Sequence, residues 1–501
     1  MLKSILGQVL WISWLSSAIE EVNMDSGSII KFISGKFRNV YNSYSFYTKI
    51  GEWLEWYKGD VEKFHKVRVS NGLTTPIRDL YKLKMAKRVC EDWASSILNE
   101  DINIVVNAKN NKSSIFVQGT KGKGGVLGTN NFSSVISRNL ELMFALGTSA
   151  IVLGLNNITV DESTNAIMKS PNAKITIETY NAIQIFPISY KNGVITDVSF
   201  VSEFVKDNKL YYTISTHIKE EDGYVIYNDI LDSSYNSLSL NVGVLPVLRT
   251  KSQNPLFFIF KTNIVNNIDL NSPMGVSIYS DAIDTIKACD VIYDSCIRDV
   301  ITGQRIVMMN KNLLTTSPDG TPIVPQDVKQ SYMQFFGDDA ANGVDQFIKE
   351  FAPKLNTTDL DNELQNQLNM LSNKCGLGTR FYNFNIASGV TATEYIGERN
   401  DFYRNAKKIS NGVVSSIQKM VSEILFIGYN VIGLDVDTNA KVVVTISDGV
   451  VESDNEKREQ DRKDVSDKLM SRVEYRMKWY GETEDEAKKA LMGIDSETSV
   501  S

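Results

Sequence analysis

The chain has 501 residues, a length that predicts two to four domains rather than one compact unit. Its 42% hydrophobic and 23% charged residues are typical of a soluble protein that folds over most of its length. The formal net charge of −7 argues against a protein that wraps nucleic acid by neutralising phosphates, which requires a basic face. It still permits a surface that nucleic acid passes without being held.

The N-terminal segment Met1 to Ala18 is superficially similar to a signal peptide. Leu6, Leu10 and Trp14 fall at helical spacing within it, and polar residues interrupt its apolar stretch. We therefore predict an amphipathic helix that docks on the body or on a neighbouring subunit. Elsewhere the sequence has no apolar run of transmembrane length.

The first half of the chain has an α+β pattern. Residues 1–100 are predicted to be mostly helical, with one helix ended by Gly59 and an amphipathic helix from Leu80 to Leu98. Residues 101–260 predict an antiparallel sheet with one helix, Phe132 to Leu153, among its strands. The predicted strands are Ile102–Val106, Ile175–Glu178, Val198–Phe204, Leu210–Thr216 and Tyr224–Tyr227.

After Pro255 the pattern is strongly helical. Ser272 as N-cap and Pro273 in the first turn predict a helix that runs through Asp299 and ends at Gly303. Its apolar stripe is predicted to comprise Ile278, Ala282, Ile286, Cys289, Tyr293 and Ile297, and its opposite side Asp281, Asp284, Asp290, Asp294 and Arg298. A second helix is expected from about Asp359 to Lys374, capped by Thr358 or Asp359 and followed by Gly376.

Two strand-like runs, Gln304–Met309 and Phe347–Phe351, flank a Pro/Gly/Asp-rich excursion, Thr315 to Gln326. Two antiparallel helices with such a β-tipped projection form a stalk. Each helix offers only one apolar stripe, so the stalk needs neighbours, and repetition in a ring is a natural solution. The alternative is an ordinary helical hairpin in a large monomer.

A loop, Phe381 to Val390, precedes a very long predicted helix. Thr391 and Glu394 form a capping box that starts a helix of about forty residues, to Ile432, a length uncommon in globular domains. A strand, Val442–Ile446, follows. The charged tail after Asn455 carries Val465, Leu469, Val473 and Met477 at helical spacing, which predicts an amphipathic helical appendage.

The sequence contains no catalytic motif that we can recognise. Its two histidines, His65 and His217, lie outside any zinc or triad pattern and are predicted to be surface or packing residues. Gly119–Gly128 follows the strand-like Ile115–Gln118, but its spacing fits neither a P-loop nor a dinucleotide-binding motif, so we interpret it as a flexible basic loop. The cysteines lack a C-x-x-C pair and are expected to be reduced thiols: Cys90, Cys289, Cys296 and Cys375.

Several short segments, in order, carry a resemblance to a known family. They are NSPMG at 271–275, DVIYDS at 290–295, CGL at 375–377 and TATE at 391–394, with WLEWYKG at 53–59 and ISDG at 446–449. In this order and spacing the chain resembles the portal, or head–tail connector, proteins of tailed bacteriophages that infect Gram-positive hosts. No single segment is specific. Their joint order spans nearly the whole chain.

The resemblance implies an α+β, multidomain portal architecture with long helices around a central channel in a ring. It implies a wing at residues 1–270, a stem helix at 271–303, a clip at 304–355 and a stem return helix at 356–376. A tunnel loop at 377–390, a long helix with a wing return strand at 391–454 and a crown at 455–501 complete it. The implied channel residues are Asn383, Phe384, Asn385, Ile386, Ala387 and Ser388, the long-helix start Thr391, Thr393 and Glu394, and the clip contacts Thr316, Asp319, Thr321 and Gln326.

The implied function is non-enzymatic: a dodecameric ring at the capsid vertex of the virion, assembled in the host cytoplasm, through which double-stranded DNA is packaged and ejected. Terminase, a head-completion adaptor, the major capsid protein and a scaffolding protein are the implied partners, with no cofactor, metal or membrane. Alternatives are another ring-forming head–tail adaptor or capsid-associated protein, and a nuclease or carboxylate-based hydrolase within residues 101–260. The adaptor alternative does not explain the long capped helix, and the enzyme requires activity on DNA with magnesium.

Overall fold

The computed structural model describes residues 24–37, 44–69, 75–98, 102–120, 124–238, 244–303, 306–310, 317–319, 333–336, 348–351, 354–383, 392–446, 454–480, 482 and 486–492. The predicted N-terminal helix, Met1 to Ala18, lies outside these residues. The chain divides into two compact units, Met1–Ser447 and Asp448–Ser501. The described part contains both helices and strands, as the sequence predicts.

The described helices are Ser26–Lys36 (α1), Tyr44–Lys58 (α2), Glu62–His65 (α3), Met85–Ile97 (α4), Asn111–Gln118 (α5), Gly125–Thr129 (α6), Phe132–Leu146 (α7), Ile283–Thr302 (α8), Thr357–Lys374 (α9), Ala392–Ile427 (α10), Asp454–Ser466 (α11) and Arg472–Tyr480 (α12). The described strands are Lys66–Arg68 (β1), Ile77–Asp79 (β2), Asn103–Asn107 (β3), Thr148–Asn156 (β4), Lys174–Asn181 (β5), Ile185–Lys191 (β6), Val194–Lys206 (β7), Lys209–Glu220 (β8), Gly223–Asp232 (β9), Ser237–Leu238 (β10), Val247–Arg249 (β11), Phe257–Lys261 (β12), Ile306–Asn310 (β13), Met333–Phe336 (β14), Ile348–Phe351 (β15) and Lys441–Thr445 (β16).

An antiparallel sheet in the order β10-β9-β8-β7-β6, with β11 also paired to β9, confirms the β-rich reading of the first half. Strands β7 and β8 pair from Val198 opposite His217 to Lys206 opposite Lys209. His217 is buried, packs edge-on against two phenylalanine rings, and burial lowers its pKa to about 3. It is a packing residue, as predicted.

A second sheet, in the order β12-β4-β5, corrects the predicted helix from Phe132 to Leu153. The helix α7 ends at Leu146, and Gly147 follows with φ of 82°. The apolar run that follows is strand β4, buried from Thr148 to Leu155 because α7 and neighbouring elements cover it. A fully buried strand lacks the alternating pattern that would have separated it from a helix.

Strand β16 pairs antiparallel with β3, with Val443 opposite Val105. This pairing returns the chain, after α10, to the unit built by its first half. The strand predicted at Val442–Ile446 is therefore confirmed within one residue. Within the described residues, the 36-residue helix α10 is the long helix that the sequence predicts, and a short π-helical turn, Gly428–Ile432, extends it.

In the first half, the start of one helix and one predicted strand differ from the structure, whereas the end of α2 agrees. Helix α2 ends before Gly59, as expected. The amphipathic helix α4 begins at Met85 rather than Leu80, because the preceding residues run extended and Lys84 adopts φ of 56°. Residues 115–118, predicted as a strand, belong to helix α5, which ends where Gly119 adopts φ of 78°.

Helix α8 begins at Ile283, ten residues after Pro273, so the predicted start is wrong. Residues 273–279 are buried irregular chain instead. Gly275 lies so close to Gly147 that a Cβ on either residue would stand 2.4 Å from the other's carbonyl oxygen. The Gly275 N–H donates to Thr148 Oγ1 at 2.9 Å, so tertiary contacts override the local capping signal.

The described part of unit Asp448–Ser501 is mostly helical, as predicted, and includes α11 and α12. Lys468, in the turn between them, has φ of 60°. Leu469, expected on the apolar stripe, is 79% exposed. The side chain of Trp479 on α12 donates to Asp461 on α11 at 2.7 Å, so polar contacts join the pair.

Candidate functional site

Helices α8 and α9 form an antiparallel hairpin. At one end the Asn356 N–H donates to Asp299 Oδ2 at 2.7 Å, and at the other the Lys374 ammonium donates to the Asp281 carbonyl at 3.4 Å. Both helices bury one stripe between them and the body, with the buried side chains Ile286, Cys289, Leu368 and Leu371. The hairpin predicted from the sequence is present, although α9 begins at Thr357 after Asn356 rather than at Asp359.

The two central carboxylates of α8 do not face solvent, which corrects the predicted polar side. Asp290 and Asp294 are 2% and 4% exposed. Asp290 Oδ2 lies 3.1 Å from His65 Nε2, and its Oδ1 accepts the Leu83 N–H at 2.7 Å. Because His65 Nδ1 accepts the Val61 N–H, Nε2 carries the proton and donates to Asp290.

Asp294 makes a second attachment one turn further along α8. Its two oxygens accept from Arg78 Nη1 and Nη2, each at 2.7 Å, in a bidentate pair. The Tyr81 N–H donates to Asp294 Oδ1 at 3.1 Å. The hydrogen bonds from Arg78 hold the pKa of Asp294 below its usual range. Together the two aspartates fix the hairpin to the segment between α3 and α4.

The tip of the hairpin carries the small sheet β14-β13-β15. Strands β13 and β15 fall within the two predicted strand-like runs to within one residue, and they pair antiparallel. Strand β14, which the sequence did not reveal, pairs parallel with β13. Of the predicted clip contacts, Asp319 lies in an exposed turn at 317–319. Thr316, Thr321 and Gln326 lie outside the described residues.

The described chain entering the predicted loop is held from two sides. The Tyr382 hydroxyl donates to Asp92 Oδ2 on α4 at 2.8 Å, and Gln365 on α9 donates to the Tyr382 carbonyl at 2.9 Å. Burial and the neighbouring Asp92 raise the pKa of the Tyr382 phenol, so it remains a donor at neutral pH. Arg88 donates to the same Asp92 oxygen at 3.0 Å.

The chain leaving the loop is held on the same elements. Phe402 on α10 packs against Trp93 and Phe381, with ring centroids 5.2 Å and 6.0 Å away. The Asn405 amide donates to the Gly376 carbonyl at 3.1 Å, directly after α9. The loop therefore starts and ends on one packed cluster of α4, α9 and α10, which fixes its base.

The predicted loop residues fall at the edge of the described chain. Of the six predicted channel residues, Asn383 is described. The residues Phe384, Asn385, Ile386, Ala387, Ser388 and Thr391 lie outside the described chain, and Thr393 and Glu394 lie in the first turn of α10, where only the backbone is described. Sequence reasoning missed Tyr382 and Asp92, whose partnership spans 290 residues and leaves no local signal.

The described residues hold no group of three His, Cys, Asp or Glu side chains that could bind a metal ion. Their cysteines are free, with Cys90, Cys289 and Cys375 buried and Cys296 partly exposed. Among the described helices, none is both long and apolar enough to cross a membrane.

Comparison with known proteins places this arrangement in a family. No curated protein sequence is significantly similar to the chain. A solved structure described as "Neck of native GTA particle computed with C12 symmetry" has 8% identity and a TM-score of 0.39, and the match covers 78% of this chain and 87% of that one. That score is too low for the likeness to bear on function. The family model for "Phage portal protein, SPP1 Gp6-like" matches residues 40–498, which include the hairpin, the loop and α10, and the chain therefore belongs to this family of phage portal proteins.

Proposed function

We propose that this chain is the subunit of a ring at one vertex of a phage head, through which double-stranded DNA is packaged and ejected. The observation that carries the proposal is the portal family match over residues 40–498. The antiparallel hairpin with a β tip, followed by a loop and a 36-residue helix, supports it. The role is structural rather than catalytic, and the chain is a component of the virion.

Within this proposal the hairpin α8–α9 is the stem and the sheet β14-β13-β15 belongs to the clip. The sheets of the first half, with β16, form the wing, and residues 455–501, within unit Asp448–Ser501, form the crown. The clip is the docking site for terminase during packaging and for a head-completion adaptor afterwards. Scaffolding and major capsid proteins contact the ring in the head, and the phage has a Gram-positive host.

We further propose that Asn383–Gly389 lines the channel. The segment NFNIASG carries no charged side chain, so it can touch DNA without an ion pair to phosphate. The formal charge of −7 on each copy likewise disfavours tight binding of DNA by the ring. The packed cluster at the loop's base, with Tyr382, Asp92 and Phe402, fixes the positions of the two ends of the loop.

Negative-stain electron microscopy of the purified full-length chain tests the ring. We expect turbine-like particles with a central hole, and compact monomers at every concentration would contradict the proposal. Incubation of the same protein with linear DNA and magnesium tests the catalytic alternative, and no cleavage is expected.

A deletion tests the loop. Removal of Asn385–Ser388 should leave rings intact, because their subunits keep α8, α9 and α10, but should reduce the DNA retained in filled heads. A control replaces the same four residues with Gly and Ser, which keeps the loop's length. Equal DNA retention in the deletion and in the wild type would remove the loop from the mechanism.

A further inference from the structure

The segment 262–271, between β12 and the start of NSPMG, exposes aliphatic side chains. Ile264 and Ile268 are 38% and 42% exposed, and Val265 and Leu270 are 78% and 81% exposed. Four aliphatic residues within seven positions form an apolar patch, which we call the apolar loop. Patches of this kind on folded proteins mark interaction sites.

The apolar loop is held in place by three asparagines. Asn263 donates to the Lys408 carbonyl on α10 at 2.8 Å, and Asn267 donates to Asp281 Oδ1 at 3.2 Å, beside the start of α8. Asn266, 8% exposed, accepts from the Ile268 and Asp269 N–H groups at 3.0 and 2.9 Å and donates to the Met274 carbonyl at 3.2 Å. These hydrogen bonds hold the loop in one conformation, so less conformational entropy is lost when its aliphatic side chains bind a partner.

A basic rim lies beside the loop. Lys407 and Lys408 on α10 are exposed, and neither side chain has an ion pair with any described residue. Because Asn263 binds the Lys408 backbone, this rim and the apolar loop belong to one surface. A partner for it must offer apolar side chains flanked by acidic ones.

The outer face of α9 has that composition. Met370 is 52% exposed, and on the same face Glu363 and Asp359 are exposed about two and three turns before it. The basic rim lies near the other end of α9, where Asn405 contacts Gly376. Glu363 is about 20 Å from that end at 1.5 Å per residue, far beyond ion-pair distance. The basic rim of one copy therefore cannot form ion pairs with Glu363 of the same copy.

We propose that the apolar loop docks on the outer face of α9 of a second copy of this chain, with Lys407 and Lys408 opposite the acidic side chains of that helix. This inference rests on the proposed ring. A ring needs two different surfaces on each subunit, because its contacts are head-to-tail, and the chain offers such a pair. A DNA backbone offers no apolar surface to Val265 and Leu270, so a protein partner is favoured over nucleic acid.

Two surface variants test the contact in the full-length protein. Leu270→Asp disables the apolar loop and leaves α9 intact, while Met370→Asp disables α9 and leaves the loop intact. Val194→Asp is the matched control, since Val194 is 63% exposed and is the first residue of β7. All three positions are solvent-exposed, so the variants should keep the wild-type melting temperature within a few degrees.

Native mass spectrometry and negative-stain microscopy provide the readout. We expect a tenfold or greater loss of rings in Leu270→Asp and in Met370→Asp, and none in Val194→Asp. A mixture of the two variants should give one-to-one dimers but no rings. The intact apolar loop of Met370→Asp can dock on the intact α9 of Leu270→Asp, but the two remaining surfaces are both altered.

The outcomes separate this inference from the proposed function. Wild-type rings together with intact Leu270→Asp or Met370→Asp rings would overturn the inference and leave the portal assignment standing. Monomers alone in the mixture would overturn the assignment of α9 as the acceptor face. A wild-type chain that never forms rings would contradict the proposed function, and this inference with it.

Discussion

The hydroxyl of Tyr382 donates a 2.8 Å hydrogen bond to Asp92 Oδ2, joining the entrance of the predicted channel loop to helix α4. The two residues are 290 positions apart in the chain. Asp92 also accepts from Arg88, so two donors orient its carboxylate. This contact makes the base of the loop part of the folded body.

Tyr382→Phe should loosen the loop's base without unfolding the protein. The variant keeps the aromatic ring and loses a hydrogen bond to a charged acceptor, which corresponds to about 1.5–3 kcal/mol. Hydrogen–deuterium exchange should show faster exchange in residues 377–383 and unchanged exchange in β7 and β8. Tyr429→Phe, on an exposed tyrosine in the turn that follows α10, is the control. Identical exchange of residues 377–383 in the wild type and Tyr382→Phe would contradict the role given to the contact.

Asp294→Asn should make the free energy of unfolding less dependent on pH in the acidic range. Arg78 lowers the pKa of Asp294 in the folded chain, so the carboxylate stabilises the fold above its unfolded pKa of about 3.9. That stabilisation is lost as the pH falls through the lower, folded pKa. Urea unfolding at pH 7 should therefore show the wild type as more stable than Asp294→Asn, with a difference that shrinks below pH 4. A difference that is constant from pH 7 to pH 3 would argue against the ion pair.

Glu423→Gln should have the opposite pH dependence. Glu423 on α10 is 1% exposed, accepts from Ser252 Oγ at 2.7 Å, and has its second oxygen without a hydrogen-bond partner among the described residues. Burial raises its pKa to about 7. Because the folded state holds the proton more tightly than the unfolded one, the wild type loses stability as the pH rises from about 4.3 to 7.

Glutamine remains neutral and can still accept from Ser252. The variant should therefore match the wild type near pH 4.5 and become relatively more stable towards pH 8. Urea unfolding at four pH values between these limits measures the change. A parallel pH dependence for both proteins would show that Glu423 does not titrate in this range.

Gly147→Ala and Gly51→Ala should change stability in opposite directions. Gly147 has φ of 82°, and an added Cβ would lie 2.4 Å from the Gly275 carbonyl oxygen, so the substitution should cost about 1–3 kcal/mol or more. Gly51 lies inside α2 with no atom within 4 Å of an added Cβ. Alanine there should add about 0.5–1 kcal/mol to the free energy of unfolding. Denaturant titration of both variants measures the contrast, and a neutral Gly147→Ala would contradict the close approach of the two glycines.

The amino-acid sequence by itself determined the features that depend on neighbours along the chain. Helical periodicity located α4, α9 and α10, β-rich runs located the antiparallel strands, and Gly59 and Gly303 marked helix ends. The portal resemblance also came from the order of short segments, and the family match confirmed it. These features are readable because helix and strand patterns repeat every few residues.

Only the tertiary structure decided what distant residues do to one another. Gly147 approaches Gly275 within residues 272–279, which the sequence predicted as helix and which form irregular chain. Asp290 and Asp294 were predicted on a polar outer face, but His65 and Arg78 meet them from more than 200 residues away. A charged residue is buried only where a partner satisfies it, and the sequence of one helix does not contain that partner.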